Sequence, residues 1–286
     1  MKLRTHIFAL LASASLCFGQ SIMDPNAQVT IDLIKAAGSQ ANYLQEVARG
    51  NVKGQSLVHK FGKNSGVPNG SFEFVTILGH TEWPLAATTT VRIAVGNAAD
   101  TAAGAGAREI TLQGLDHNLD AATSILATAG GSASVSTTTK YWRVNRAWVS
   151  AVGTYGGANT GAVTIENTAG TTNILQIAAG EGQSQHAAWS VPEGKTAYLL
   201  SVHLTVDASK AADIKLCTRA NLDDVTAPMP SVRIKKYWDG VVGKLEYTPA
   251  SPNSVFVEKS DIWIEAQGGG AGTEVSADFE LLLVDN

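Results

Sequence analysis

Histidine is the side chain that metal sites and acid–base catalysts use most often, so the histidines of this sequence are weighed first. Beyond residue 20 none belongs to an H-x-H, H-E-x-x-H or H-x-x-x-H pattern, which would direct two imidazoles at one ion. These histidines are His59, His80, His117, His186 and His203. The two cysteines, Cys17 and Cys217, cannot supply the C-x-x-C spacing of a zinc site or a disulfide framework. The sequence therefore predicts no metal-binding residue.

Acidic residues cluster at two places, and neither has the pattern of a known site. A calcium loop needs oxygen ligands at alternating positions, a sharp glycine turn and a terminal Glu. The segment Asp116-His117-Asn118-Leu119-Asp120 lacks that glycine and that Glu. Asp and Asn commonly bond back to their own backbone, so this segment predicts a turn between two strands. Nothing beside Asp223-Asp224 locates a second carboxylate for a glycosidase pair.

Two enzyme patterns that use glycine are absent or incomplete. No G-x-S-x-G nucleophile elbow occurs. Gly104-Ala105-Gly106-Ala107-Arg108 is glycine-rich, but it lacks the Gly-Lys-Ser/Thr ending of a P-loop and precedes a predicted strand instead of a helix. We predict an interstrand turn there. Overall the sequence predicts no catalytic or cofactor-binding residue, and we expect a protein without enzymatic activity.

The tryptophans allow two interpretations. They are Trp83, Trp142, Trp148, Trp189, Trp238 and Trp263. Such residues can form a sugar-stacking platform, and Trp142 and Trp148 would share one face of a continuous strand. Tryptophan more often packs in a core or a subunit interface, which is the interpretation we favour.

Composition limits the class of protein. Apolar residues make up 44% of the 286 residues and charged residues 16%, below the roughly 25% charged residues of an ordinary soluble domain. This excludes charge-driven disorder and a charge-dense coiled coil. The net charge is −4, with Lys and Arg scattered along the chain, so we expect no nucleic-acid partner. The 28 glycines against 8 prolines are typical of short strands joined by turns.

The N-terminal 20 residues resemble a secretory signal. Lys2 and Arg4 form a basic start, and Ile7–Leu16 is an apolar stretch too short to span a bilayer. Cleavage after Gly19 is one expectation; an apolar arm that packs into a neighbouring subunit is the other. Asp24-Pro25 then predicts a helix start, and apolar residues at helical spacing extend to a predicted end near Gly50.

From about Ser56 onward the hydrophobic pattern has a period of two, which indicates strands. The predicted strands are Phe72 with Phe74 and Val75–Leu78, Val91–Val95, Ile110–Leu112, Tyr141–Val144, Arg146–Val149, Val163–Ile165, Ile174–Ile177, Ala188–Val191, Ala197–Val206, Ile214–Leu216, Ile262–Ile264 and Phe279–Val284. Many short strands favour an all-β fold of two β-sandwich or jelly-roll-like domains. A weak likeness between Thr139–Val149 and Thr196–Val206 suggests a duplication. We predict an N-terminal segment and helical arm at 1–55, a first sandwich at 56–175 and a second at 176–286.

Several turn-and-strand motifs carry a family resemblance over about four fifths of the chain. They are Gly50-Asn51-Val52 through Val58–Asn64, Gly96–Arg108, Gln113–Asp116, Arg143–Ala147, Ala179–Gln183, Val191–Leu199 and Glu258–Ile262 with Leu283–Asp285. In these motifs the sequence resembles a family of bacteriophage virion structural proteins, common in phages of aquatic bacteria. The resemblance implies a β-rich, non-enzymatic protein that is repeated in a particle.

These observations give one main hypothesis and one alternative. The main hypothesis is a virion protein, most simply a capsid decoration or cement protein, located in the virion. Its partners would be copies of itself, with a trimer as one form, and other virion proteins such as a major capsid protein. The alternative is a secreted β-sandwich adhesin or carbohydrate-binding module that recognises a host-surface glycan.

Overall fold

The structure is a computed structural model that describes residues 40–250 and 254–286. The described residues fall into two compact units, one ending at Leu57 and the other running from Val58 to Asn286. The apolar head and the predicted helix start at Asp24-Pro25 lie outside the described residues.

One helix, α1 (Gln40–Ala48), represents the predicted helical arm in the described residues. Its end has a physical cause at Gly50, which adopts a left-handed backbone with φ of 76°. The Gly50 amide donates to the Val47 carbonyl and the Asn51 amide to the Glu46 carbonyl. This is the Schellman arrangement, which favours glycine because glycine has no Cβ to oppose a positive φ. The predicted end near Gly50 is confirmed.

All remaining regular elements are strands, so the predicted all-β fold class is confirmed. Sixteen strands are described: β1 (Gln55–Val67), β2 (Glu73–Phe74), β3 (Thr89–Val95), β4 (Ala107–Asp116), β5 (Ala121–Ala127), β6 (Lys140–Val152), β7 (Val163–Asn167), β8 (Asn173–Ile177), β9 (Ala188–Ser190), β10 (Lys195–Val206), β11 (Ala212–Arg219), β12 (Arg233–Val241), β13 (Gly243–Tyr247), β14 (Val255–Phe256), β15 (Asp261–Gly268) and β16 (Thr273–Asp285).

Two five-stranded sheets enclose the larger hydrophobic core. One has the order β1-β16-β10-β13 with β14 beside β10, and the other has the order β12-β11-β15-β2 with β9 beside β15. Alternate side chains of both sheets point inward, as the period of two requires. The core between them includes Leu204 and Phe279 from the first sheet and Ile214 and Ile264 from the second.

A six-stranded sheet, in the order β5-β4-β6-β3-β7-β8, holds a second core. Its strands lie consecutively between β2 and β9 in the chain. The start of β3 pairs with β6 at Thr89 and Thr90, whereas Val91–Val95 pair with β7. Because β3 changes partner along its length, the sheet folds over itself around Ile93, Leu112 and Ile165.

Strand pairing shows how the chain divides among the sheets. Strands β1 and β2 belong to the sheets formed by the residues after 187. The division into sandwiches at 56–175 and 176–286 stays a prediction. One local expectation is wrong: Val75–Leu78 does not extend a strand. Val75 still bonds Ile264 and Ala187, but the Gly79 amide bonds the Thr76 carbonyl, so the chain turns between Thr76 and Gly79.

A buried ion pair connects the six-stranded sheet to β15. The Arg143 guanidinium on β6 donates to both carboxylate oxygens of Asp261, over 3.0 Å from Nε and 2.8 Å from Nη2. Ser190 Oγ also donates to Asp261 over 2.6 Å. The two charged side chains are 2% and 0% exposed. Because neither charge is hydrated, each depends on the other and on its hydrogen bonds for stabilisation.

Candidate functional site

In the described part of the chain, no group of three or more His, Cys, Asp or Glu side chains could hold a metal ion. Over the same residues, no helix is long and apolar enough to cross a membrane.

The acidic segment at 116–120 forms the predicted turn. Asp116 Oδ1 accepts from the amides of Asn118 (2.8 Å) and Asp120 (3.1 Å), and Leu119 adopts a φ of 66°. The Asp116 carboxylate thus closes the connection from β4 to β5. The prediction of an interstrand turn is confirmed.

The glycine-rich segment at 104–108 forms the end of a loop that is held by the buried Asp100. Asp100 Oδ1 accepts from the amides of Ala107 (2.7 Å) and Thr160 (2.8 Å), and Oδ2 accepts from Gly161 (2.8 Å). A Cβ at Gly106 would lie 2.1 Å from Asp100 Oδ1. Glycine is therefore needed at 106 to bring the backbone against the carboxylate. The predicted interstrand turn before β4 is confirmed.

None of the six tryptophans is exposed. Trp189, Trp238 and Trp263 are buried, and Trp83, Trp142 and Trp148 are half-buried. Trp83 and Trp142 line a hollow of about 10 Å³ beside Arg143, which is roughly the room of one water molecule. The Arg143 guanidinium carbon lies 4.8 Å from the centroid of the Trp83 ring. This hollow is too small for a sugar ring.

The segment 182–187 lies between β1 and β6 and forms the wall of a larger cavity. The Ser184 amide donates to the Ala147 carbonyl and the His186 amide to the Phe61 carbonyl, so the segment is held to both strands. The cavity measures about 240 Å³ and is lined by His59, Lys60, Phe61, Arg146, Gln183 and Ser184.

Two cations of this cavity are held by backbone carbonyls. Lys60 is 3% exposed, and its Nζ donates to the Asn145 carbonyl. Arg146 Nη2 donates to the His59 carbonyl. Burial lowers the pKa of Lys60 well below its usual value, and the neighbouring Arg146 charge lowers it further. Burial also lowers the pKa of Arg146. In both groups the surroundings therefore disfavour the charged form relative to water.

His186 lies near Lys60 and is excluded from water. Its Nδ1 has no hydrogen-bond partner, and its ring lies edge-on to Trp83 with centroids 6.0 Å apart. Burial lowers the pKa of His186 well below its usual value, and the Lys60 and His80 charges add to that effect. The imidazole is therefore held neutral.

A second surface of interest lies along β12, which is an edge strand. Among the described strands β12 pairs with β11 alone. Ile234 and Tyr237 project from β12 and are 55% and 43% exposed, and Met229 and Val232 just before the strand are 51% and 52% exposed. We call these four residues the β12 surface. An unpaired edge with adjacent apolar side chains is the kind of surface that another chain can cover.

The basic residues near the β12 surface lie against aromatic rings. Lys215 Nζ is 3.3 Å from the centroid of Phe72 and 3.3 Å from Glu265 Oε1. Lys235 Nζ is 5.3 Å from the Phe256 ring and Lys236 Nζ is 5.0 Å from the Tyr247 ring. These ammonium groups cover aromatic rings instead of extending into water.

Neither the cavity nor the β12 surface was predicted from the sequence. The cavity residues come from β1, β6 and the segment before β9, which nothing in the sequence brings together. A signal for β12 did exist, because the apolar residues Ile234, Trp238 and Val241 are interspersed with basic ones. The charged residues between them interrupt the apolar alternation, so the pattern did not indicate a strand.

Comparisons with known proteins give weak similarities. No family model matches the sequence, and no curated protein matches it. The coat protein structure of Sulfolobus Turreted Icosahedral Virus is 9% identical, with a TM-score of 0.23, over 82% of this chain and 61% of that chain. The VP2 subviral particle of infectious bursal disease virus is 11% identical, with a TM-score of 0.22, over 81% and 72%.

A carbohydrate-active enzyme is equally similar. The CBM22-1–GH10 modules of xylanase 10B from Clostridium thermocellum, in complex with xylohexaose, are 11% identical with a TM-score of 0.21. The match covers 44% of this chain and 22% of that chain. The TM-scores to viral capsid proteins and to a sugar-binding enzyme are thus equally low. Similarities this weak do not indicate a function.

Proposed function

We propose that this chain is a non-enzymatic virion structural protein that assembles with copies of itself, most simply as a capsid decoration or cement protein. The observation that carries the proposal is the β12 surface. Burying its apolar side chains against a second copy would remove them from water, a transfer that contributes about 25 cal/mol per Å² of apolar area before the entropic costs of association are subtracted. The family resemblance of the turn-and-strand motifs supports the setting in a virion.

The chemistry of the β12 surface suits a contact between protein chains. Interfaces are enriched in Tyr, Met and Arg, and this segment supplies Tyr237, Met229 and the exposed Arg233. The ammonium groups of Lys235 and Lys236 lie against aromatic rings. They therefore do not oppose pairing of β12 with another chain as lysines that face solvent on an edge strand do. Closed cyclic symmetry, with a trimer as one form, would let each copy bury the surface once.

The assembly is tested with the full-length chain by sedimentation velocity and light scattering. We expect a defined oligomer for the wild-type chain. Ile234→Glu would place a charge inside the contact and shift the mass toward the monomer. Ile125→Glu is the matched control, because Ile125 is 62% exposed on β5, the edge strand of a different sheet. A monomeric wild-type chain, or equal effects of the two variants, would contradict the proposed contact.

The location in a virion needs a separate test. An antibody raised against the chain should label particles that are purified from the producing culture on a density gradient. Signal confined to soluble extracellular protein would instead favour the alternative, a secreted adhesin or carbohydrate-binding module. For that alternative, sugar-dependent quenching of tryptophan fluorescence is the direct measurement.

A further inference from the structure

The cavity lined by Lys60 and Arg146 contains positive charge without a matching negative charge. Among residues 40–250 and 254–286, no carboxylate lies within ion-pair distance of Lys60 or Arg146. By contrast, Lys63, three residues along the same strand, lies 3.1 Å from the Glu274 carboxylate. A buried ammonium beside a half-buried guanidinium, both paired only with carbonyls, is an expensive arrangement.

The carboxylate nearest to the cavity does not neutralise it. Asp278 Oδ1 lies 3.8 Å from His59 Nε2 at the edge of the cavity. The same oxygen is 2.8 Å from His203 Nδ1, which raises the pKa of His203 through that hydrogen bond. Asp278 is therefore already engaged with two imidazoles on the surface, and the charge of Lys60 and Arg146 remains uncompensated.

We propose that this cavity is a binding site for a small free oxyanion of the phosphate, sulfate or carboxylate class, held by Lys60 and Arg146. An ammonium has three donors and a guanidinium five, and each of these two groups gives one hydrogen bond to a carbonyl. Donors therefore remain for the oxygens of an anion. Ser184 Oγ accepts from the Ala147 amide over 3.0 Å, which leaves its hydroxyl proton to donate as well.

The cavity has room for such a ligand. Its volume of about 240 Å³ is about eight times the share of one molecule in liquid water. A tetrahedral oxyanion and a few waters fit within it. Charge-assisted hydrogen bonds from Arg and Lys to an oxyanion are about twice as strong as neutral ones, so the bound state would offset the cost of burying Lys60.

The test compares anions at constant ionic strength by thermal unfolding and by calorimetric titration of the full-length chain. Sodium phosphate, sulfate and acetate should each raise the Tm saturably above the value in sodium chloride, by about 5 °C at a hundred times Kd. The ranking of the three salts identifies the preferred oxyanion. The proposal would be overturned if none of the three salts raised the Tm. It would also be overturned if added sodium chloride raised the Tm by the same amount.

Two variants attribute the effect to the cavity. Lys60→Met should raise the Tm in chloride, because it removes a buried uncompensated charge, and should abolish the oxyanion increment. Arg146→Gln provides a second variant at a half-buried position, so the test does not depend on a single substitution in the core. Lys63→Met is the control on the same strand and should keep the increment. An increment that survives both Lys60→Met and Arg146→Gln would overturn the site.

Discussion

Arg143 and Asp261, which are 118 residues apart in the chain, form a buried bidentate ion pair. The guanidinium also donates to the carbonyls of Leu85 (2.9 Å) and Trp142 (2.8 Å), so four of its five N–H donors bond within the protein. The pair joins β6 of the six-stranded sheet to β15. The contact therefore links the sheet around the second core to a sheet of the larger core.

Removing one partner of this pair should be severely destabilising. Asp261→Ala leaves the Arg143 charge buried without a counter-charge, and such changes cost about 3–5 kcal/mol. Asp285→Ala is the control, because Asp285 pairs with Lys195 on the surface, where an ion pair contributes about 0–1 kcal/mol. Denaturant unfolding of both variants measures the difference. A loss at Asp261 no larger than at Asp285 would mean that the buried pair does not hold the sheets together.

The buried carboxylate of Asp100 provides a second stability test. Asp100→Ala removes the acceptor of three amides, of which Ala107 is buried and Thr160 and Gly161 are partly open to water; the buried amide alone costs about 1–3 kcal/mol when it is left unsatisfied. Asp100→Asn keeps one oxygen for Ala107 and Thr160 but places an NH₂ group opposite the Gly161 amide. We therefore expect an intermediate loss for Asn and the larger loss for Ala in the free energy of unfolding. Equal losses would show that the bond to Gly161 dominates.

The all-β class and most strand positions could be predicted from the sequence, because alternation of apolar residues is a local signal. The ends at Gly50 and Asp116 were also predictable, since cap and turn chemistry acts within a few residues. Strand β12 was not. Lys235 and Lys236 resemble solvated positions in the sequence, but in the fold they lie on the rings of Phe256 and Tyr247.

The missed features depend on contacts between distant segments. Strand β5, Ala121–Ala127, consists mainly of small and polar residues, and its pairing with β4 determines its conformation. The cavity joins Lys60 to the carbonyl of Asn145, 85 residues away. Such separations leave no trace in local periodicity, so the candidate sites had to come from the structure.

The stability of the protein should fall as the pH is lowered from 7.5 to 5.5. Burial and the charges of Lys60 and His80 keep the folded pKa of His186 below that of the unfolded chain, which is about 6.5. Below that pH, His186 binds a proton in the unfolded chain but not in the folded protein. The free energy of unfolding then falls by up to about 1.4 kcal/mol per pH unit.

Two variants separate the histidines in this pH profile. His186→Leu removes the depressed group, so the decline between pH 7.5 and 5.5 should become shallower. His203→Gln should act in the opposite sense, because Asp278 raises the folded pKa of His203 and its contribution is present at low pH and lost as the pH rises. His203 is exposed, so its effect should be small. An unchanged slope in His186→Leu would exclude His186 as the cause.

Cys217 should be chemically inert in the folded protein. The thiol is 1% exposed on β11, packed with Phe74, Ala188 and Trp263. Burial raises its pKa, and the neighbouring Glu265 charge raises it further. Because the thiolate is the reactive species, both exclusion from reagent and loss of ionisation suppress reaction.

The measurement uses Cys17→Ser, which leaves Cys217 as the single thiol of the chain, with a disulfide reagent at pH 8. We expect no reaction in native buffer and the release of one equivalent after denaturation. The rate at intermediate denaturant concentrations should follow the opening of the sheet formed by β11 and β15, since Cys217 pairs with Trp263 across it. Asp261→Ala should accelerate labelling, because the ion pair that it removes is anchored on β15. Rapid native labelling would show that β11 opens locally, without loss of the core.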